Sequence, residues 1–152
     1  MKYTFFWGGI YSNWYKADML LDNIIFTSNE QYMMWIKATV FGDHATAGKI
    51  LATNDSKKQK ELGRQVVGYN DGIWIAMREH VVYNGLKQKF LQNPDLLEQL
   101  KEDKDTIFVE ASPEDRVWGI GYDKENALAN IDNWGQNLLG KLLNKLADEL
   151  CK

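Results

Sequence analysis

The sequence predicts a helix-rich α+β fold with a few short strands, in a single domain over residues 1–152. Three observations predict it. Most of the chain after residue 27 consists of apolar-periodic runs that open on Ser, Thr, Asp or Asn and close on Gly or Asn-Pro, the punctuation of helices. Strand-like runs are few and short. No repeat, low-complexity tract or linker interrupts the 152 residues, a length that buries one core without staples.

Taken in order, "YTFFWGGI" is rich in strand formers but contains paired glycines, and "DMLLDNIIF" reads as a hairpin turning at Asp22-Asn23. A first helix is expected from Thr27 to about Phe41, ended by Gly42. A second, "DHATAGKILAT", takes Asp43 as N-cap, and a third, "DSKKQKELGRQV", takes Asp55 or Ser56. The longest starts after "YNDG" and runs to Asn93-Pro94, since the residue before proline is pushed out of the helical region. Its stripe of Trp74, Met77, Val81 and Phe90 reads as core. "DLLEQLKE" is a short helix, "TIFVEAS" a strand stopped by Pro113, and residues 113–133 are mostly loop. "WGQNLLGKLLNKLADEL" closes the chain as an amphipathic helix with Asn133 as N-cap.

Bulk properties narrow the function. A formal net charge of −3 excludes a broad electrostatic grip on nucleic acid, though a single nucleotide or flipped base needs only local positive groups. Six tryptophans in so short a chain supply flat walls for sugars and bases as well as core. The single cysteine, Cys151, rules out an internal disulfide and points to a reducing compartment. The apolar start is short and broken by Gly8 and Gly9, which is unlike a signal peptide, and no run approaches the ~20 apolar residues of a membrane span. A soluble, cytoplasmic protein with no membrane partner is expected. His44 and His80 have no metal-ligand spacing, and neither a P-loop nor a "GxSxG" elbow is present. No metal and no cofactor are expected.

Three stretches carry candidate chemistry. In "TSNEQYMMWIKA", Thr27 and Glu30 match a capping box, which alone accounts for Glu30. Yet Glu30 and Lys37 are seven residues apart, so they share a helix face roughly 10 Å apart, a spacing that can flank a bound sugar. A desolvated lysine amine becomes a nucleophile towards carbonyl carbons; the plain alternative is a side chain reaching for water. In "VEASPEDRVWGIG", a strand runs into a loop carrying Glu110, Glu114, Asp115, Arg116 and Trp118. That loop is either a catalytic loop at a strand end or a polar surface turn anchored by one Trp. In "NWGQNLLG", Trp134, Gln136 and Asn137 fall in the expected first turn of the last helix, where free amides favour an anionic or hydroxyl-rich ligand. The alternative is an ordinary helix start over a buried Trp.

Four segments together resemble the NADAR superfamily of YbiA-like N-glycosidases, associated with NAD and ADP-ribose chemistry. They are "YSNWY" (11–15), "FTSNEQYMMWIKA" (26–38), "LGRQV" (62–66) and "EASPEDRVWGIG…NWGQNLLGKLL" (110–143), in the family's order along nearly the whole chain. The resemblance implies a pocket for a ribosyl or ADP-ribosyl group and cleavage of an N-glycosidic bond. The base would belong either to a phosphoribosylamino-pyrimidine intermediate of riboflavin synthesis or to ADP-ribosylated guanine. It also implies Glu30, Lys37 and Asp115 as catalytic residues. Asn13, Trp14, Arg64, Trp118, Gly119, Trp134, Gln136 and Asn137 follow as substrate-binding residues, with Arg64 a phosphate clamp or a surface ion-pair partner. Trp14 stands where the family usually has Phe, and "NKLADELCK" lacks the family's basic ending.

The chemistry suits these residue types. Cleavage passes through an oxocarbenium-like sugar that a carboxylate stabilises, while a second polar group protonates the leaving base or activates water. Glu30 is expected as the acid/base and Lys37 as the group acting at the anomeric carbon. The expected partner is a small ribosyl or ADP-ribosyl nucleotide, free or on a nucleic-acid base. The rival expectation is a non-catalytic module that senses ADP-ribose or NAD.

Overall fold

The computed structural model describes residues 1–152. They form seven α-helices and four short strands, the helix-rich α+β class that the sequence predicts. The chain falls into two compact units: a terminal unit, Met1–Ser12 with Pro94–Lys152, and a central unit, Asn13–Asn93.

In the central unit, strands β2 (Met19–Leu21) and β3 (Ile24–Phe26) form the expected antiparallel hairpin. Asp22 and Asn23 both take positive φ, 53° and 63°. Asp and Asn tolerate this left-handed pair, which suits the twist of the flanking strands. Four helices follow: α1 (Asn29–Val40), α2 (His44–Leu51), α3 (Ser56–Arg64) and α4 (Asp71–Gln92). Asp43 and Asp55 cap α2 and α3 as their positions predict. Asn70 caps α4, which therefore starts two residues before the apolar run that announces it. Helix α1 packs against α2, α3 and α4. Two glycines let it do so closely, because a Cβ on Gly63 would overlap Met34 and one on Gly85 would overlap Asn29. Phe26, Ile50, Val82, Leu86 and Phe90 are fully buried there.

In the terminal unit, β1 (Tyr3–Phe6) runs parallel to β4 (Ile107–Glu110), pairing Tyr3 with Ile107 and Phe6 with Glu110. Around this pair lie α5 (Pro94–Asp103), α6 (Lys124–Ala127), a 3-10 helix (Leu128–Asn133) and α7 (Leu138–Leu150). Two expectations are corrected. Residues 124–133 are helical rather than loop, started by the Asp123 carboxylate accepting from the Asn126 amide. Asn133 is not the N-cap of the last helix, which begins five residues later, after Asn137 at φ 51°.

The late start of α7 has a physical reason. A two-stranded sheet leaves the far edge of β4 with unpaired backbone groups. Asn137 and Asn144 supply the partners. Asn137 accepts from Glu110 N–H (3.0 Å) and donates to Phe108 C=O (2.9 Å). Asn144 accepts from Phe108 N–H (3.0 Å) and donates to Thr106 C=O (2.8 Å). The two are seven residues apart, two helical turns, and so reach the strand along one face. Gly140 lies between them, where a Cβ would overlap Phe108 C=O.

Candidate active site

The candidate residues fall into two groups, one in each unit. In the central unit the group is built on the first two turns of α1. The capping box expected from Thr27 and Glu30 is displaced by one residue. Ser28 is the N-cap and accepts from the Gln31 amide (3.2 Å). The Gln31 side chain reaches back to the Thr27 amide (2.8 Å). Ser28 and Gln31, rather than Thr27 and Glu30, make these capping contacts. Glu30 sits in the first turn with 5% exposure, and its amide donates to the Asn13 carbonyl (2.9 Å).

A buried carboxylate needs a compensating charge or donor. Lys37, two turns on, is the cation that it acts upon. Burial holds the Lys37 amine below the usual lysine range. Glu30 opposes that shift, Arg64 at the end of α3 adds to it, and Asp71 opposes it. The amine lies 4.6 Å from the ring centre of Tyr69 and 5.9 Å from that of Trp74. The charges of Glu30 and Arg64 thus both act on the Lys37 amine. Burial that lowers the proton affinity of a lysine amine favours its neutral, nucleophilic form.

Asn13 is buried and holds this group in place. Its Oδ1 accepts from Asn29 Nδ2 (2.9 Å), while Asn29 also donates to Val82 C=O (3.3 Å), tying the start of α1 to α4. Trp14, beside it, is 43% exposed.

In the terminal unit the group follows β4. Asp115 Oδ1 accepts from the Val117 and Trp118 amides (2.8 and 2.9 Å), folding the loop onto itself. Gly119 is required for packing, since a Cβ there would crowd the carbonyls of Glu110 and Asp115. Trp118 and Trp134 are half-buried. Trp134 donates from Nε1 to Ala127 C=O (2.7 Å) and meets Tyr3 and Phe5 edge-on, in the cluster of Val109, Ile120 and Ala127.

The expected placement of Trp134, Gln136 and Asn137 in the first turn of the last helix is corrected. All three precede α7. The amides of Gln136, Asn137, Leu138 and Leu139 donate to the carbonyls of Arg116, Gly119, Val117 and Trp118 (2.7 to 3.1 Å). No open amide nest remains for an anion, and the Asn137 side chain is committed to β4. Gln136 is exposed.

Sequence reasoning missed Tyr69 and Lys89. Tyr69 lies in a loop with no periodicity to mark it. Lys89 is fully buried, within 5.4 Å of the Phe90 ring centre and 5.5 Å of that of Tyr15, with its amine pushed down to about 7 by burial. A signal for it existed, because positions 82, 86 and 89 continue one apolar face of α4.

The comparisons agree with the architecture. A family model described as NADAR domain matches residues 5–151. An N-glycosidase of Acanthamoeba polyphaga mimivirus is 40% identical, over 97% of this chain and 96% of that protein. A riboflavin biosynthesis protein of Vibrio vulnificus is 29% identical over 93% of this chain, which corresponds to 35% of that longer protein. The NMR structure of Escherichia coli YbiA superposes with a TM-score of 0.80 at 23% identity, covering 98% of this chain and 84% of that one, a likeness of fold.

Proposed function

Because the chain belongs to the NADAR domain family, we propose that it is an enzyme hydrolysing the N-glycosidic bond of a ribosyl or ADP-ribosyl nucleotide, as one domain over residues 1–152. The observation that supports this reading is the pair on α1: a buried Glu30, and a Lys37 amine that burial holds below its usual range. The mimivirus relative's name gives the reaction class.

Hydrolysis adds one water across the C–N bond. The Glu30 carboxylate takes a proton from water as the water oxygen bonds to the anomeric carbon, and passes that proton to the leaving nitrogen as the C–N bond breaks. With a ring-opened ribosylamine, the neutral Lys37 amine instead forms the new C–N bond. The base then leaves as its amine, and water hydrolyses the resulting imine to free sugar and lysine. Arg64 is assigned to the substrate phosphate, and Trp14 to a ring face at the base. In the terminal unit, Asp115, Trp118, Trp134 and Gln136 are assigned substrate contacts. Gly119 and Asn137, assigned to substrate by family resemblance, act here through packing and the β4 edge.

The riboflavin biosynthesis relative favours a phosphoribosylamino-pyrimidine as substrate over ADP-ribosyl guanine. Purified protein incubated with each, followed by chromatography, tests both. Release of sugar phosphate from the first supports the reading; release of ADP-ribose from the second keeps the reaction and changes the base. Binding of ADP-ribose with no release from either replaces the enzyme with a sensor module.

A further inference from the structure

The Lys37 amine has an aromatic neighbour whose own position is fixed by groups around it. Tyr69 donates from its hydroxyl to Asp71 Oδ1 (2.7 Å), and its ring meets Phe41 edge-on with centres 5.4 Å apart. The loop bearing it is pinned one step earlier, where the Val67 amide donates to Asp43 Oδ2 (2.9 Å). Between them Gly68 takes φ +82°, a conformation that costs other residues strain, and lies under the Phe41 carbonyl. One step later Asn70 caps α4. Residues 67–70 are therefore fixed at every position. The outcome is a ring held 4.6 Å from the Lys37 amine, with the Trp74 ring at 5.9 Å on the same amine.

We propose that Tyr69 is a positioning residue for Lys37, its clamped ring being the seat on which the ammonium rests before it loses its proton and reacts. A lysine has four rotatable bonds, and an unseated amine samples many places of which few lead to attack. A ring face attracts the ammonium form without exchanging a proton, so it places the side chain and raises the amine's proton affinity a little. The charged groups acting on the amine come from three elements: Glu30 on α1, Arg64 on α3 and Asp71 on α4, the last also holding the seat. Tyr69 is 41% exposed, so its ring can be altered without opening the core.

The proposal rests on Lys37 as the reacting amine, and its test works without turnover. Competitive acylation of lysines across a pH series, read by mass spectrometry, titrates Lys37 against exposed Lys57 and Lys58 as internal standards. In Tyr69→Leu the ammonium loses its ring face, and the Lys37 titration is expected to move down by about half a unit or more. Tyr69→Phe keeps the face and is expected to stay close to the parent; Tyr69→Met serves in place of Leu if that variant misfolds. With the preferred substrate, Tyr69→Leu should lower kcat with KM nearly unchanged, and Tyr69→Phe should restore most of it. Identical Lys37 titration in all variants would overturn the seat, whatever turnover shows. A shifted titration in a protein without glycosidase activity would keep the seat and refute the enzyme reading instead.

Discussion

The two units carry residues from the same set of family motifs, yet use them in opposite ways. In the central unit, Glu30 is buried and Lys37 half-buried, while Ser28 and Gln31 cap the helix and Asn13 and Asn29 anchor it. In the terminal unit, Asp115 Oδ1, the Asn137 amide and Gly119 bind backbone or make room for it. A polar residue in a motif therefore has two physical meanings. Where its polar atoms satisfy nearby amides and carbonyls it builds the fold; where it is buried within the field of an opposing charge it is a candidate for chemistry.

The sharpest break of that contrast would come from Lys37→Arg. Arginine keeps the cation but does not lose its proton at working pH, so turnover should fall by about 10²-fold or more while the melting temperature holds. Unimpaired turnover would remove the amine from the chemistry. In the other direction, Asn137→Ala strands Glu110 N–H and Phe108 C=O at the strand edge. It should cost about 2–4 kcal/mol in denaturant unfolding, with kcat/KM per folded molecule preserved. A stable but inactive variant would return Asn137 to the ligand.

Lys89 makes the pH test. Its folded proton affinity, about 7, lies below the ordinary lysine value. Between the two values the unfolded chain binds a proton that the folded chain does not, so stability should rise as pH climbs from about 7 towards 10. Lys89→Met should flatten that rise in urea melts; an unchanged slope would mean the amine is charged in the fold. The smallest effect is expected from Ser28→Ala, about 1 kcal/mol with turnover intact, because the cap is separate from the reacting carboxylate.

Much of this was legible in the chain. Asp43 and Asp55 cap helices where they should, Asp22-Asn23 turns the hairpin, and Asn93-Pro94 ends α4. Each is a local rule read within a few residues. The misreadings had two causes. Asn133 has capping chemistry, but a tertiary demand moved that helix start, because Asn137 was needed at the edge of β4. The Thr27 box shifted by one residue locally, because Gln31 rather than Glu30 is the residue seen reaching back to the Thr27 amide. The face shared by Glu30 and Lys37 followed from helical spacing alone. Tyr69 did not, since its approach to Lys37 depends on how the loop before α4 folds back onto Phe41.

The most direct test of the central claim is single-turnover release of the amine base from the phosphoribosylamino-pyrimidine, comparing the parent protein with Glu30→Gln at matched folding by circular dichroism. The account expects the parent to release base and sugar phosphate together, and Glu30→Gln, which keeps hydrogen bonding but loses the charge, to lose release by about 10²-fold or more. Equal release from a folded Glu30→Gln would contradict it, leaving Glu30 a buried structural carboxylate.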